Sequence, residues 1–388
     1  MISKTTLKKN NSDITFEYID SPEKLDCLTA AIRTADWVAL DTEADSFHHY
    51  QAKICLIQLT FDGRHVIIDP LAKMDLNSFL DELAQKNLII HDAGYDLRLL
   101  YADFKFKPKA EIFDTMLGAS LAGLKNVGLS GLLNLLFDKN PAKHNQKADW
   151  SKRPLPEKCL QYAAEDTAYL FEIKNYLQTK LRELGRQDWH TESCQWALHA
   201  AYTQKEQPDP DHQWRIKGTG KCSPKEMAFI RQLWLWRDDI AQQTNIAPFM
   251  ICRNEEMIKL TLWAVNRKKP IEENTKLPIR CQSRYKKSLY DALISAQKLP
   301  EDQWPEKIKS DRSKRLSDAT QNTINQLKAE CETVAKDLDL APQLLASRMA
   351  LTRIVVNKAT TLEQIQKKRI LMNWQANLLL PTIKKMLE

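Results

Sequence analysis

The chain has 388 residues, 43% hydrophobic and 28% charged, the balance of a folded protein of two or three domains and not of a disordered or fibrous one. Its first dozen residues, "MISKTTLKKNNS", lack a signal-peptide core, no run nears the ~18 apolar residues that span a bilayer, and eight scattered cysteines form no C-x-x-C pair, so a cytoplasmic protein with free thiols and no structural zinc is expected. The net charge of +7 is uneven: residues 1–205 hold 25 Lys and Arg against 28 acids, and residues 206–388 hold 32 against 22. A basic second part suits a polyanion such as RNA, because each neutralised phosphate releases counterions, while lysine-rich helix faces also serve solubility alone.

In chain order, strand patterns are predicted at Ile14–Ile19, Trp37–Asp41, Ile54–Phe61, His65–Ile68 and Asn87–His91, and helical patterns at Pro22–Thr34, Leu76–Gln85 and Tyr95–Tyr101. Asp62-Gly63 joins two of the strands as a hairpin. Strands that meander and then alternate with helices make an α/β domain with a mixed sheet. Helices follow near Thr115–Ala122, Ser130–Phe137 and Pro156–Leu184. The polar, Pro- and Gly-containing segment from Gln204 to Gly220 reads as a linker. Beyond it only helices are expected. Ser223-Pro224-Lys225-Glu226 is a capping box, further helices fall at Glu255–Val265 and Tyr285–Gln297, and Ala319–Glu388 is a last helical block. The expected domains are 1–205, a linker at 206–222, and two all-helical modules at 223–300 and 315–388 that hint at a distant repeat.

Chemistry is concentrated at strand ends. In "ALDTEADS" Asp41 and Glu43, two apart in a strand, project to one face while Thr42 faces away. Two close carboxylates repel, and a hard divalent cation relieves them unless the segment is a solvated loop. In "IIHDAGYDLRLL" a strand runs through His91 and Asp92 into a helix bearing Asp96, where an acid also complements the helix dipole. In "LQYAAEDTAYL" Tyr162 and Asp166 sit at i and i+4 on one helix face. Each of the four carboxylates adjoins an apolar segment able to hold it rigidly.

"DTEADSFHHYQAKICLIQL" at 41–59, "HDAGYDL" at 91–97, "FDT" at 113–115 and "DWSKRPLPEKCLQYAAEDTAYL" at 149–170 resemble the ribonuclease D family, in the tyrosine-bearing branch of the DEDD exonucleases. "WLWRDDIAQQTNIAPFMI", from Trp234, resembles the family's HRDC module, although Val265–Ser288 is more charged than that module leads one to expect, and "LAPQLLASRMALTRIVVN" at 340–357 resembles its second helical domain. The resemblance implies a ribonuclease H-like α/β exonuclease domain followed by two HRDC-like helical domains. It implies that Asp41, Glu43, Asp96 and Asp166 ligate two divalent ions, Mg²⁺ or Mn²⁺, and that Tyr162 orients or deprotonates the attacking water. The implied reaction trims 3′ ends of transfer RNA precursors and other small structured RNAs, releasing nucleoside 5′-monophosphates.

Substrate contacts are expected from Thr42, Phe47, His48 and Tyr50 around the terminal nucleotide, from His91, and from Arg153 on phosphate; core packing for the aromatics, a structural hydrogen bond for His91 and loop anchoring for Arg153 are the alternatives. Lys217, Lys221, Lys268, Lys269, Lys286 and Lys287 offer an RNA track, and Trp234 and Trp236 suit a core. Asp45 reads as a surface acid, and the role of Asp92 is open. The motifs alone also admit a DNA exonuclease, since the 2′-OH is read outside the metal ligands. A silent RNA-binding scaffold is disfavoured because all five reactive side chains are present.

Overall fold

The computed structural model describes residues 14–140, 148–203, 210–273, 275–279, 283–306 and 316–388. Strand β1 (Glu17–Ile19) leads into α1 (Pro22–Ile32), started by the Ser21 hydroxyl, which accepts from the Lys24 N–H, and by Pro22. The meander β2 (Trp37–Ala44), β3 (Ile54–Phe61) and β4 (Arg64–Ile68) follows; Asp62 and Gly63, at φ 47° and 76°, supply its tight turn. Next come α2 (Asn77–Leu83), β5 (Asn87–Ile90), α3 (Ala93–Phe104), β6 (Ile112–Asp114), α4 (Thr115–Leu121), α5 (Leu129–Phe137), α6 (Glu157–Ala168), α7 (Leu170–Glu183) and α8 (Gln187–Thr203). The rest is helical among the described residues: α9 (Pro210–Gln213), α10 (Pro224–Thr244), α11 (Pro248–Ile251), α12 (Asn254–Val265), α13 (Ser283–Lys298), α14 (Asp318–Asp337), α15 (Pro342–Leu345), α16 (Arg348–Asn357), α17 (Leu362–Lys367) and α18 (Asn373–Leu387).

The six strands form one mixed sheet in the order β1-β4-β3-β2-β5-β6, with β3 antiparallel to both neighbours and the remaining pairs parallel. β3, buried along its whole length, runs through the centre. Alternation sorts β2 between two cores: Val38 and Leu40 join α1, α2 and α3, whereas Ala39 faces the other side. Helix α6 covers that second face, against β2, β3 and β4. The helix expected at Pro156–Leu184 is broken at Tyr169, where ψ is −1°.

Two compact units emerge. The first holds the described residues through Ala44, from Ile54 to the end of α8, and from Leu316 onward; the second holds Asp45–Lys53 and the described residues between α8 and Leu316. Ile324, Leu327, Leu351, Ile354 and Leu379 of the last helical block share one cluster with Ile89, Phe113, Leu121 and Leu170. The block expected as a separate domain therefore completes the core of the nuclease part. Polar contacts fasten it: Glu192 of α8 accepts the first N–H groups of α18 at 2.6 and 3.1 Å, and Trp374 stacks on Trp189 at 4.8 Å. Arg186 donates to the carbonyls of Leu121 and Leu338 at 2.6 and 2.7 Å.

In the second unit α10, α12 and α13 close a core that includes Trp214 and Ile216, only 6% and 9% exposed. Of the segment expected as a linker, residues 206–209 lie outside the described residues, and the part from 210 onward is anchored by two apolar residues hidden in polar surroundings. The capping box at Ser223 is formed, and Trp236 is buried with its Nε1–H donated to Ser288. The series α10, α11, α12 recurs as α14, α15, α16: a left-handed residue (Asn245, φ 48°; Asp339, φ 52°), then Ala-Pro opening a one-turn helix, then a longer helix starting six residues after the proline. An internal repeat is therefore present in the fold.

Candidate active site

β2 delivers Asp41 and Glu43 to its carboxyl end on the face of Ala39, toward α6. From α6, Asp166 meets them: one carboxylate oxygen of each of Asp41, Glu43 and Asp166 lies within 4.8 Å of the others, all three keeping partial exposure. Because β5 runs parallel to β2, α3 begins at the same end of the sheet and brings Asp96 to the cluster. Asp96 is 6% exposed and accepts a hydrogen bond from the Thr42 hydroxyl. Thr42 therefore orients an acid from the opposite side of β2.

The acids strain one another. Withdrawal from water, then repulsion by Asp96, Asp166 and Glu43, holds Asp41 well above the usual carboxylate range. Burial, then Asp166 and Asp96, pushes Glu43 up to about 9. Asp166 is raised by burial to about 8 although it accepts the Tyr162 hydroxyl, and Asp96 is raised by burial to about 7 against the Thr42 hydrogen bond. An all-oxygen set under such repulsion fits a hard divalent cation, whose charge reverses the penalty. Tyr162, one turn before Asp166, stacks its ring near Trp150 at 6.2 Å. Trp150 is 1% exposed and fixes that ring from the loop before α6.

A further acid organises the site without facing it. Asp114, 3% exposed, accepts the N–H groups of Ala93 (2.9 Å) and Asp92 (3.3 Å) at the start of α3, and of Met116 (2.8 Å) and Leu117 (3.1 Å) in α4. It locks the helix that carries Asp96. Its signal in the sequence is an Asp just before a predicted helix, an N-cap pattern. Asp92 is exposed in a left-handed conformation, φ 61°. His91 shares a 2.8 Å hydrogen bond between Nδ1 and the Thr115 hydroxyl, and burial lowers it to about 4, so it stays neutral and structural.

One expectation is corrected, that Asp45 lies at the surface, and three expected substrate contacts have partners within the protein. Arg153 takes the loop-anchoring alternative: it donates to both oxygens of Asp69 at 2.6 and 2.7 Å and to the carbonyls of Cys55, Trp150 and Lys152 at 2.9, 2.7 and 2.8 Å. It anchors the loop before α6 to the sheet. Tyr50, in the second unit, donates its hydroxyl to Asp238 at 2.9 Å and accepts from Gln242 at 3.1 Å, so α10 holds it. Thr42 serves Asp96, as above. Asp45 is 5% exposed, not superficial: it accepts the Lys53 N–H at 2.7 Å and faces His49 Nδ1 at 3.1 Å. On the same segment Phe47 is 46% exposed and the His48 carbonyl accepts from Ala247 at 3.1 Å.

Comparison with known proteins agrees with this geometry. A family model described as 3′-5′ exonuclease matches residues 16–182, and the HRDC domain model matches 226–264. Ribonuclease D of Haemophilus influenzae is 30% identical over 340 residues, covering 82% of this chain and 79% of its own, and that of Gluconacetobacter diazotrophicus is 27% identical over 359 residues, covering 90% and 88%. The fold is shared with Escherichia coli RNase D, "an exoribonuclease involved in structured RNA processing", at a TM-score of 0.68 and 21% identity over 96% of this chain and 99% of that one. A mixed sheet presenting clustered acids and a tyrosine at one end, with an HRDC module behind it in the chain, defines the class of 3′–5′ exonucleases. Within that class the chain belongs to the ribonuclease D family and is a 3′–5′ exoribonuclease. Among the described residues no helix is long and apolar enough to cross a membrane.

Proposed function

We propose that this protein trims the 3′ ends of transfer RNA precursors and other small structured RNAs in the cytoplasm, with two divalent cations, Mg²⁺ or Mn²⁺, held by Asp41, Glu43, Asp96 and Asp166. The observation that carries the metal reading is the convergence of Asp41, Glu43 and Asp166 within 4.8 Å, next to the buried Asp96. When bound, such cations neutralise charge on the phosphoryl oxygens and acidify the attacking water. The chain supplies the rest. Rigid mounts on β2, α3 and α6 fix the four carboxylates, and the Tyr162 hydroxyl, poised on Asp166, orients the water or accepts its proton. Attack at the last phosphodiester releases a nucleoside 5′-monophosphate.

The RNA-binding role of the helical modules rests on charge. Lys217, Lys221, Lys268, Lys269, Lys286 and Lys287 are all exposed in the second unit, and lysines grip phosphate without reading sequence. Free thiols at all seven described cysteines suit a reducing compartment.

The test uses 5′-labelled single-stranded RNA and DNA of one sequence, and a transfer RNA precursor with a 3′ extension, in Mg²⁺, Mn²⁺ or EDTA. A ladder shortening from the 3′ end, dependent on metal and absent in Asp41→Ala, is expected, with trimming of the precursor stopping near its mature end. Metal-independent cleavage, or a precursor left at full length, overturns the corresponding part of the reading.

A further inference from the structure

Gln58 lies in the middle of β3, paired directly with Asp41 of β2. It is 0% exposed, and neither Oε1 nor Nε2 has a hydrogen-bond partner among the described residues. A carboxamide carries two donors and two acceptors, so a buried one left unpaired calls for a physical cause. Residues directly opposite in an antiparallel pair share one face, with Cβ atoms ~4.5–5.5 Å apart. Gln58 therefore stands beside Asp41 on the side that α6 covers.

The neighbours narrow the choice of partner. Across β4 the ladder places Ile67, and two positions along β3 stand Leu56 and Thr60. The Thr60 hydroxyl is already engaged with Thr167 at 2.9 Å and His65 at 2.8 Å. Overhead, α6 presents Ala163 and Ala164. Of the residues the ladder sets directly beside Gln58, Asp41 alone is ionisable.

We infer that Gln58 is a positioning residue for Asp41: when the cluster holds a divalent cation, the Gln58 Nε2–H donates to the Asp41 carboxylate oxygen turned away from that cation. The inference rests on the metal reading above. An ionised Asp41 is a strong acceptor, and a donor on its rear oxygen fixes the rotation of the carboxylate and so the direction of its ligating lone pairs. Gln58 is fixed to a central strand, which gives that donor little freedom to stray.

Full-length wild type, Gln58→Met and Asp41→Asn are compared by electron paramagnetic resonance of bound and free Mn²⁺ and by thermal unfolding without metal. Methionine keeps the length and bulk of Gln58 and removes both polar ends. Gln58→Met is expected to unfold without metal at or above the wild-type temperature, yet to bind Mn²⁺ about 10- to 100-fold more weakly. Wild-type Mn²⁺ affinity in Gln58→Met overturns the inference. So does a metal-free variant that unfolds earlier than wild type, because the amide would then already have its partner. If wild type itself takes up no Mn²⁺ and Asp41→Asn behaves like it, the metal assignment fails instead.

Discussion

At Tyr162 a single oxygen separates chemistry from packing. The ring is held near Trp150 and the hydroxyl bonds Asp166, so Tyr162→Phe should lower single-turnover cleavage by about 10²- to 10⁴-fold while changing stability by about 1 kcal/mol or less. A rate within a few fold of wild type would remove the tyrosine from the reaction. His91 gives a pH signature. Its folded value, about 4, lies below the 6.5 of an ordinary imidazole. The unfolded chain thus binds the proton first, and stability that is full above 6.5 falls by about 3 kcal/mol as the pH drops to 4. Urea unfolding between pH 7 and 4.5 should be steeper in wild type than in His91→Asn; parallel curves would contradict the neutral, buried imidazole. Residue types at strand ends were readable as a site because only chemistry or solvent explains an acid beside a buried run. The partners of Arg153, Thr42 and Tyr50 were not readable: they lie 84, 54 and 188 positions away, and a sequence shows a charge or a hydroxyl without showing what satisfies it.

Among the elements, the described part of the loop ahead of α6 is tied to the sheet by Arg153. Arg153→Ala leaves Asp69 and the carbonyls of Cys55 and Trp150 short of a donor, a loss of about 2 to 4 kcal/mol in denaturant unfolding. Weaker RNA binding at unchanged stability would restore the phosphate contact instead. Elements with a long apolar pattern were legible within a residue or two, β3 and α12 among them. β6 has only three residues, too few for an alternation to register. α8 escaped because His190 and Ser193 are part of its buried stripe, paired to Asp114 and Trp374 in ways that periodicity does not reveal.

For the whole molecule, the last helical block matters most. A fragment ending at residue 205 would lose part of the buried cluster that Ile89, Phe113, Leu121 and Leu170 share with Leu327, Leu351 and Ile354. That fragment should aggregate or melt far below the full chain. Joining residues 1–205 to 316–388 through a flexible linker of about 20 residues should recover a soluble nuclease that shortens unstructured oligonucleotides. Equal melting of the fragment and the full chain would show that the shared core contributes little. The sequence shows a helical block here but not its destination, since an amphipathic face names no partner.

Placing part of the nuclease core after residue 316 also sets the order of events during synthesis. The ribosome adds about 5 to 20 residues per second. The sheet and its acids emerge early, and α4 and α7 pack on each other and on α8, but the buried cluster they share with Ile324, Leu351 and Leu379 is incomplete until α14, α16 and α18 are made. A nascent chain therefore carries its degradative acids in an unfinished frame, next to the messenger and transfer RNAs that surround it. The nuclease core is complete only after the intervening second unit and the helices from Leu316 onward have been made.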